Sequence, residues 1–378
     1  MRVLCMSSHS DTLNSIRPEA ELFLGLQRAG VQLHLMTQGD SAYAAPMRAA
    51  GIRVVDFVPR RKFDLAGARF VRGYCREHGI QLLHLFNNKA IATGLLAART
   101  LPVKIVTYRG QTGNVHRWDP VAWLTHLNPR IDRVVCVSDA TRRDLARQRL
   151  DPDSVVTIYK GHDLGWYDAQ PVDLAVLGIP PGAFTVSVVC NYRPRKGVEY
   201  IVESASYLPA DAPVHFLLIG AGHDNPSVLR RIGASPHPEH FHLLGHRHDA
   251  PALTAACSTS VLAATRREGL PKTVIESMAY AVPPIVTDVG GSPELVEHGS
   301  SGLVVPLCDA RAIGEAIALL LADPERRAAM GRRARARIEQ EFNVRTTVAK
   351  HLALYRELLG EPGLSRTASA AGNASAGR

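Results

Sequence analysis

Short apolar runs alternate with longer amphipathic stretches through the first 160 or so residues. The runs at 3–6, 32–36, 54–57, 82–86, 104–107, 134–137 and 155–158 are rich in Val, Leu and Ile and bounded by polar residues, which reads as buried strands. Between them, 19–28, 66–78, 89–99 and 140–147 carry apolar residues at helical spacing. Strands separated by helices with short connections predict a parallel sheet covered on both faces. A polar bridge from 159 to 182, with Gly161, Pro171 and Pro180-Pro181, breaks the alternation and marks a domain boundary. The pattern then restarts, with strands expected at 185–190, 215–219, 241–244, 260–264 and 284–287, and helices at 199–207, 273–281 and 309–321. Each half reads as a doubly wound α/β domain. Residues 326–359 read as mostly helix, with Gly331 early and Phe342-Asn343 near the middle. The division expected is 1–165, 166–345, a last helix over 346–360 placed to cross back, and a tail over 361–378. That tail is Gly, Ala, Ser and Thr with little apolar bulk, so disorder is expected there. Its Asn373-Ala374-Ser375 triplet reads as a chance glycosylation match.

Composition changes little in this picture. Apolar content is 46% and charged content 21%, ordinary for a globular chain. Cys5, Cys75, Cys136, Cys190, Cys257 and Cys308 are scattered with no Cys-x-x-Cys pair and no zinc-spaced histidine partner, which points to a reducing compartment and no structural metal. The amino terminus reads as a strand rather than a signal peptide, and no apolar run is long enough to span a bilayer, so a cytoplasmic protein is expected. Charge is more telling. The net charge is +9, and residues 1–165 hold 23 Lys and Arg against 14 Asp and Glu, whereas residues 166–378 balance at 21 each. An anionic partner for the first half alone would account for that asymmetry; a solvated basic surface is the plainer reading.

The chemistry concentrates in the second half. Glu268 and Glu276 bracket Glu-Gly-Leu-Pro-Lys-Thr-Val-Ile-Glu, between an expected strand and an expected helix. Glu268 thus falls at the carboxyl end of a strand, where open α/β sheets bind ligands. Pro271 stands at or near the start of the helix, leaving the amides of Lys272 and Thr273 to point out of its positive end, a natural diphosphate seat. One carboxylate on each side suits a nucleotide sugar, with ribose hydroxyls on one and sugar hydroxyls on the other. A second group, Cys190-Asn-Tyr-Arg-Pro-Arg-Lys-Gly197, sets Arg193 and Lys196 around a stiffening proline in a strand-to-helix turn, and a guanidinium with an ammonium fits a diphosphate. Gly220-Ala-Gly222 is half a dinucleotide fingerprint and reads as a tight turn. In Gly290-Gly-Ser-Pro-Glu294, Ser292 is expected to cap a helix opened by Pro293, and the glycines read as a plain turn.

In order, Asn191-Tyr-Arg-Pro-Arg-Lys-Gly197, Leu244-Gly245-His246, the stretch from Glu268 to Glu276, Pro283 to Glu294 and Gly302-Leu-Val-Val-Pro306 resemble the second domain of glycosyltransferase family 4, densely from about 185 to 310 and loosely over 1–165. The resemblance implies the GT-B fold, two Rossmann-like domains facing across a cleft, and a retaining enzyme moving a hexosyl group from a UDP- or GDP-sugar to a glycan or lipid-linked acceptor in surface polysaccharide or lipopolysaccharide synthesis. It implies that Arg193 and Lys196 hold the donor diphosphate and that Glu276 takes the ribose. It places Glu268 at the sugar hydroxyls, with the amides of Gly269, Leu270, Pro271's neighbours Lys272 and Thr273 along the sugar and phosphates. It places Gly245 and His246 near the base. Asn191 stands where the family usually has an arginine, with Arg193 two residues later. Because protein cations and a helix end can stabilise the departing diphosphate, metal-independent transfer without a cofactor is expected.

The first domain departs further from the family. After the strand at 104–107 come Tyr108-Arg109-Gly110, with His116 and Asp119 beyond, and Arg109 then His116 are the candidates for facing the donor sugar or an anionic acceptor. Arg60, Arg61 and Lys62 precede a helix whose Arg69, Arg72 and Arg76 fall on one face beside Phe63, Phe70 and Tyr74. That stripe fits peripheral contact with anionic headgroups, worth about 1 kcal/mol per basic residue, or a solvated helix face. No nucleic-acid motif is present, and none is expected to bind. Two other readings stay open: a catalytically silent sugar-binding scaffold or subunit, and, from Gly220-Ala-Gly222, a nicotinamide-dependent oxidoreductase.

Overall fold

The computed structural model describes residues 1–8, 13–209 and 211–361. Beyond Glu361, the expected tail and the Asn373 triplet lie outside the described residues. Two parallel sheets organise the chain. The first contains β1 (Arg2–Met6), β2 (Gln32–Thr37), β3 (Arg53–Asp56), β4 (Leu82–Leu85), β5 (Lys104–Arg109), β6 (Arg133–Cys136) and β7 (Val155–Thr157). Its order is β3-β2-β1-β4-β5-β6-β7. Register is fixed by pairs such as Leu4 with His34 and Leu4 with Leu83. Helices α1 (Leu13–Arg28), α2 (Ala44–Ala49), α3 (Leu65–Glu77), α4 (Asn88–Ala98), α5 (Pro120–Trp123) and α6 (Asp139–Ala146) connect its strands. The second contains β8 (Phe184–Val189), β9 (Val214–Ile219), β10 (Phe241–Gly245), β11 (Thr259–Leu262), β12 (Pro284–Thr287) and β13 (Leu303–Val305), in the order β10-β9-β8-β11-β12-β13. Its helices are α7 (Val198–Ser204), α8 (Pro226–Gly233), α9 (Ala250–Ala255), α10 (Lys272–Ala279), α11 (Ser292–Leu295) and α12 (Ala310–Ala322), followed by α13 (Pro324–Glu341) and α14 (Val344–Leu359).

Strands with both faces covered need apolar residues at every position rather than at alternate ones. All four residues of β4 and all six of β9 are buried accordingly, and all of them except His84 and His215 are apolar. The turns after the strands carry helix caps. Asn87 Oδ1 accepts from Ala90 N, Ser138 Oγ from Thr141 N and Asp309 Oδ1 from Ala312 N, each satisfying an amide that the helix start leaves open. By packing, the chain separates into two compact units. One comprises Met1–Thr107, Pro120–Arg133 and the chain from Thr347; the other comprises Tyr108–Asp119 and Val134–Thr346.

Three expectations are corrected. Helix α1 begins at Leu13, with Pro18 inside it, rather than at 19. The helix expected over 326–359 is broken at Phe342-Asn343, where Phe342 O accepts from His162 N at 2.7 Å and His162 O accepts from Val344 N at 3.0 Å. Asn343 Oδ1 then accepts from Thr346 N and caps α14. Ser292 is the first residue of α11 rather than its cap, a place taken by Gly291.

Candidate active site

Strand β8 ends at Val189, and the chain turns through Cys190–Arg193 into a 3-10 turn, Pro194–Lys196. Gly197 closes that turn at φ +65°, and a Cβ there would lie 2.0 Å from Ala263 O, so only glycine allows the approach. The turn is fixed by Thr265 N donating to Arg195 O at 2.9 Å. Its two cations then converge on one carboxylate. Lys196 Nζ lies 2.5 Å and Arg195 Nη1 3.3 Å from Glu268 Oε1, and Glu268 is 6% exposed. The Cys190 thiol beside them is pushed up to about 11, mainly by burial, so it is neutral at ordinary pH.

Glu268 belongs to the loop between β11 and α10. Its neighbour Arg267 holds φ +61°, a left-handed backbone costly for a side chain of this kind and typical of over-determined functional loops. Pro271 is the residue before α10 and provides no side-chain cap. Within α10, Lys272 Nζ pairs with Glu276 Oε1 at 2.9 Å across one helical turn. The Gly290-Gly291 turn is more than a turn. A Cβ on Gly290 would lie 2.0 Å from Glu268 O, and one on Gly291 1.9 Å from Gly269 O. The pair lets one loop back directly onto the other. Gly291 has φ −86°, which alanine tolerates, so Gly291→Ala tests contact alone. We expect it to destabilise the fold by about 1–3 kcal/mol, read as a lower denaturant midpoint. Beyond this turn, the Glu294 carboxylate accepts from Asp139 N and Ala140 N at 2.7 and 2.6 Å, at the positive end of α6.

One open pocket gathers Asn191, Arg193, Lys196, Glu268, Gly269, Leu270, Pro271, Lys272 and Thr273, all anticipated from sequence. It also contains Gly110, Gln111, Val189, Cys190, Arg195 and Arg267, which sequence reasoning did not single out. Arg195 was legible as the second arginine of Arg193-Pro-Arg195-Lys196, but nothing local says which of the two turns toward Glu268. Asn191 Oδ1 is committed to Ala221 N at 3.0 Å, so it ties the Gly220-Ala-Gly222 turn to the end of β8. That turn does not line the pocket. Neither do Gly245, His246 or Glu276.

Arg109 and His116 do not line this pocket. The Arg109 guanidinium is buried, donates to Gly113 O, and has its pKa lowered chiefly by that burial. Gly113 N in turn donates to Asp144 Oδ2 at 2.7 Å, so Arg109 stitches its own loop. His116 is exposed and stacks on Trp118 at 5.1 Å. In the first unit, Arg60, Arg61, Lys62, Arg69 and Arg76 are exposed, but Arg72 leaves the expected stripe. Its Nε and Nη2 donate to Ala97 O and Leu96 O at 3.0 and 2.8 Å, capping the carboxyl end of α4. Among the described residues no helix is long and apolar enough to cross a membrane.

The fold and the pocket agree with sequence families. Residues 20–166 match glycosyltransferase family 4, and residues 170–337 match glycosyl transferases group 1. The chain belongs to this glycosyltransferase family, with two Rossmann-like parallel-sheet domains of the GT-B kind. It is 28% identical over 171 residues to N-acetyl-alpha-D-glucosaminyl L-malate synthase of Bacillus anthracis, covering 45% of each chain. It is 34% identical over 169 residues to a GDP-mannose-dependent monoacylated alpha-(1-6)-phosphatidylinositol monomannoside mannosyltransferase of Corynebacterium glutamicum, covering 42% of this chain and 44% of that one. The chain thus matches less than half the length of either relative. Its fold is similar to that of Anabaena HepE, solved in complex with UDP, with a TM-score of 0.76 at 20% identity over 94% of this chain and all of that one.

Proposed function

We propose that the protein is a retaining, metal-independent glycosyltransferase that moves a hexosyl group from a nucleoside diphosphate sugar to a glycan or lipid-linked acceptor, in the synthesis of a surface polysaccharide or lipopolysaccharide. The observation that carries this reading is the convergence of Lys196, Arg193 and Arg195 with Glu268 and the start of α10 in one pocket. The diphosphate lies against Arg193, Lys196 and the amides opening α10, and Glu268 meets the sugar hydroxyls. Glu276 receives the ribose, and Gly245 and His246 flank the base. As the bond from the anomeric carbon to the diphosphate oxygen breaks, its electron pair leaves with the diphosphate, where preorganised cations stabilise it. The acceptor hydroxyl attacks the same face of the short-lived oxocarbenium ion and passes its proton to the departing oxygen. Arg109, by holding the loop that supplies Gly110 and Gln111 to the pocket, is a positioning residue; His116 is left as the candidate contact for the acceptor, held by the basic first domain.

Relatives point to both donor classes, since one is named for GDP-mannose and HepE was solved with UDP. A thermal-shift panel of UDP- and GDP-sugars tests the reading. One of them should raise the melting point in a concentration-dependent way, since binding to the folded state alone stabilises it, and Glu276→Ala should abolish the shift. No response to any member would remove the donor site. The basic residues Arg60, Arg61, Lys62, Arg69 and Arg76 fit peripheral attachment to an anionic membrane. Neutralising them together should cost about 1 kcal/mol each in binding to anionic liposomes, read by sedimentation, whereas Arg72→Ala should instead destabilise α4.

A further inference from the structure

Away from the pocket, the sequence His237-Pro-Glu-His-Phe-His242 begins the edge strand β10. Pro238–His240 form a 3-10 turn, closed by His240 N donating to His237 O at 3.1 Å. In such a turn, side chains three apart eclipse, and the His237 and His240 rings stack with centroids 4.8 Å apart. Glu239 lies between them. Its Oε1 is 3.4 Å from His237 Nδ1 and 3.9 Å from His240 Nε2, and all three ligand atoms fall within 4.8 Å of one another. Behind them His215 packs on His240 at 4.3 Å between ring centroids, and its Nδ1 shares a hydrogen bond of 3.0 Å with His242 Nε2.

We propose that His237, Glu239 and His240 form a binding site for a divalent transition-metal ion of the zinc class, supported by His215 and His242. Two imidazoles and a carboxylate are the donor set such ions favour over magnesium or calcium. Tetrahedral zinc with bonds near 2.0–2.1 Å needs ligand atoms about 3.3 Å apart. The two separations to Glu239 are already close to this, and the third, between the two histidine nitrogens, lies within 4.8 Å and closes by rotation of the half-buried His237 imidazole. The His215–His242 hydrogen bond holds one imidazole against His240, the kind of outer contact that fixes the orientation of a ligating ring. His237 and His240 also edge a small pocket floored by Leu208, Val214, Phe216 and Phe241, which leaves a fourth coordination position for water or an external donor. The ion would join the turn before β10 to β9 through this cluster and stiffen the sheet edge.

The test uses the full chain without a polyhistidine tag. Zn2+ titrated by calorimetry should bind at one ion per chain, and Co2+ should give the visible bands of a tetrahedral complex. His237→Ala and His240→Ala should each weaken binding by about tenfold or more, while the exposed His248→Ala leaves it unchanged. Glu239→Gln, at a side chain 67% exposed, should weaken it without disturbing the fold. A parent that binds no more than a substoichiometric trace, or a His237→Ala/His240→Ala double variant of unchanged affinity, would overturn the site. So would loss of binding in His248→Ala. If either histidine variant fails to fold, Glu239→Gln alone decides: unchanged affinity rejects the proposal.

Discussion

Lys196→Ala is expected to lower kcat/KM for sugar transfer by about two to three orders of magnitude, the usual effect of removing one preorganised partner of developing negative charge. Lys196 is 18% exposed and sits 2.5 Å from Glu268. On the donor site proposed above, removing it would take a cation from the departing diphosphate, and it leaves Glu268 paired with Arg195 alone. The loss should fall mainly on kcat, because charge on the diphosphate is greatest as the bond breaks. Lys196→Arg should recover part of the rate, since the charge is kept but the reach differs. Initial rates of nucleoside diphosphate release, with melting curves to show that the variant is folded, check this. Activity within about twofold of the parent would place the diphosphate elsewhere.

Acid should destabilise the protein well above the range where carboxylates titrate. His84 and His351 are buried in the first unit and His162 in the second. Burial drives His351 down to about 4 and His162 to about 3, and lowers His84 well below its ordinary value. His351 donates from Nδ1 to Thr347 O at 2.9 Å, and His84 shares a 2.6 Å hydrogen bond with Tyr355. The unfolded chain binds protons near pH 6.5 that the folded chain refuses. These groups therefore contribute stability in full above about pH 6.5, and it is lost as pH falls toward the folded values. For His351 alone the loss by pH 4 is at most about 3 kcal/mol, a large share of a typical folding free energy. Chemical denaturation at pH 7.5, 6 and 5 should show the decline, and His351→Gln should flatten it. A stability that is level from pH 7.5 to 5 would mean that these imidazoles are not held neutral.

Much of this was legible in the sequence because it is local. An apolar run such as 82–86 has few options other than a covered strand. Between Glu268 and Glu276, Pro271 stands directly before the helix start at Lys272, a signal carried by adjacent residues; the strand before it ends earlier than expected, at Leu262. What stayed hidden depends on a partner distant in sequence. Whether Arg193 or Arg195 turns to Glu268 is decided by Thr265 and Ala263, some 70 positions on. The Gly290-Gly291 pair looks like any turn until the backbone of Glu268 and Gly269 is laid against it. The interruption at Phe342-Asn343 needs His162 to accept and donate there. Arg72 has the spacing of a surface stripe, and only the carbonyl end of α4 draws it inward.

The carboxylate of Glu268 has a consequence for the empty protein. Two neighbouring cations would repel one another and splay toward water if nothing stood between them. An internal anion spaces them during folding, long before any nucleotide arrives. Because one negative charge answers two positive ones, the cluster keeps a residual attraction for a dianion. If the donor binds at this cluster as proposed, its arrival calls for little rearrangement of the polypeptide, and the entropy of assembling the charges has been met in advance.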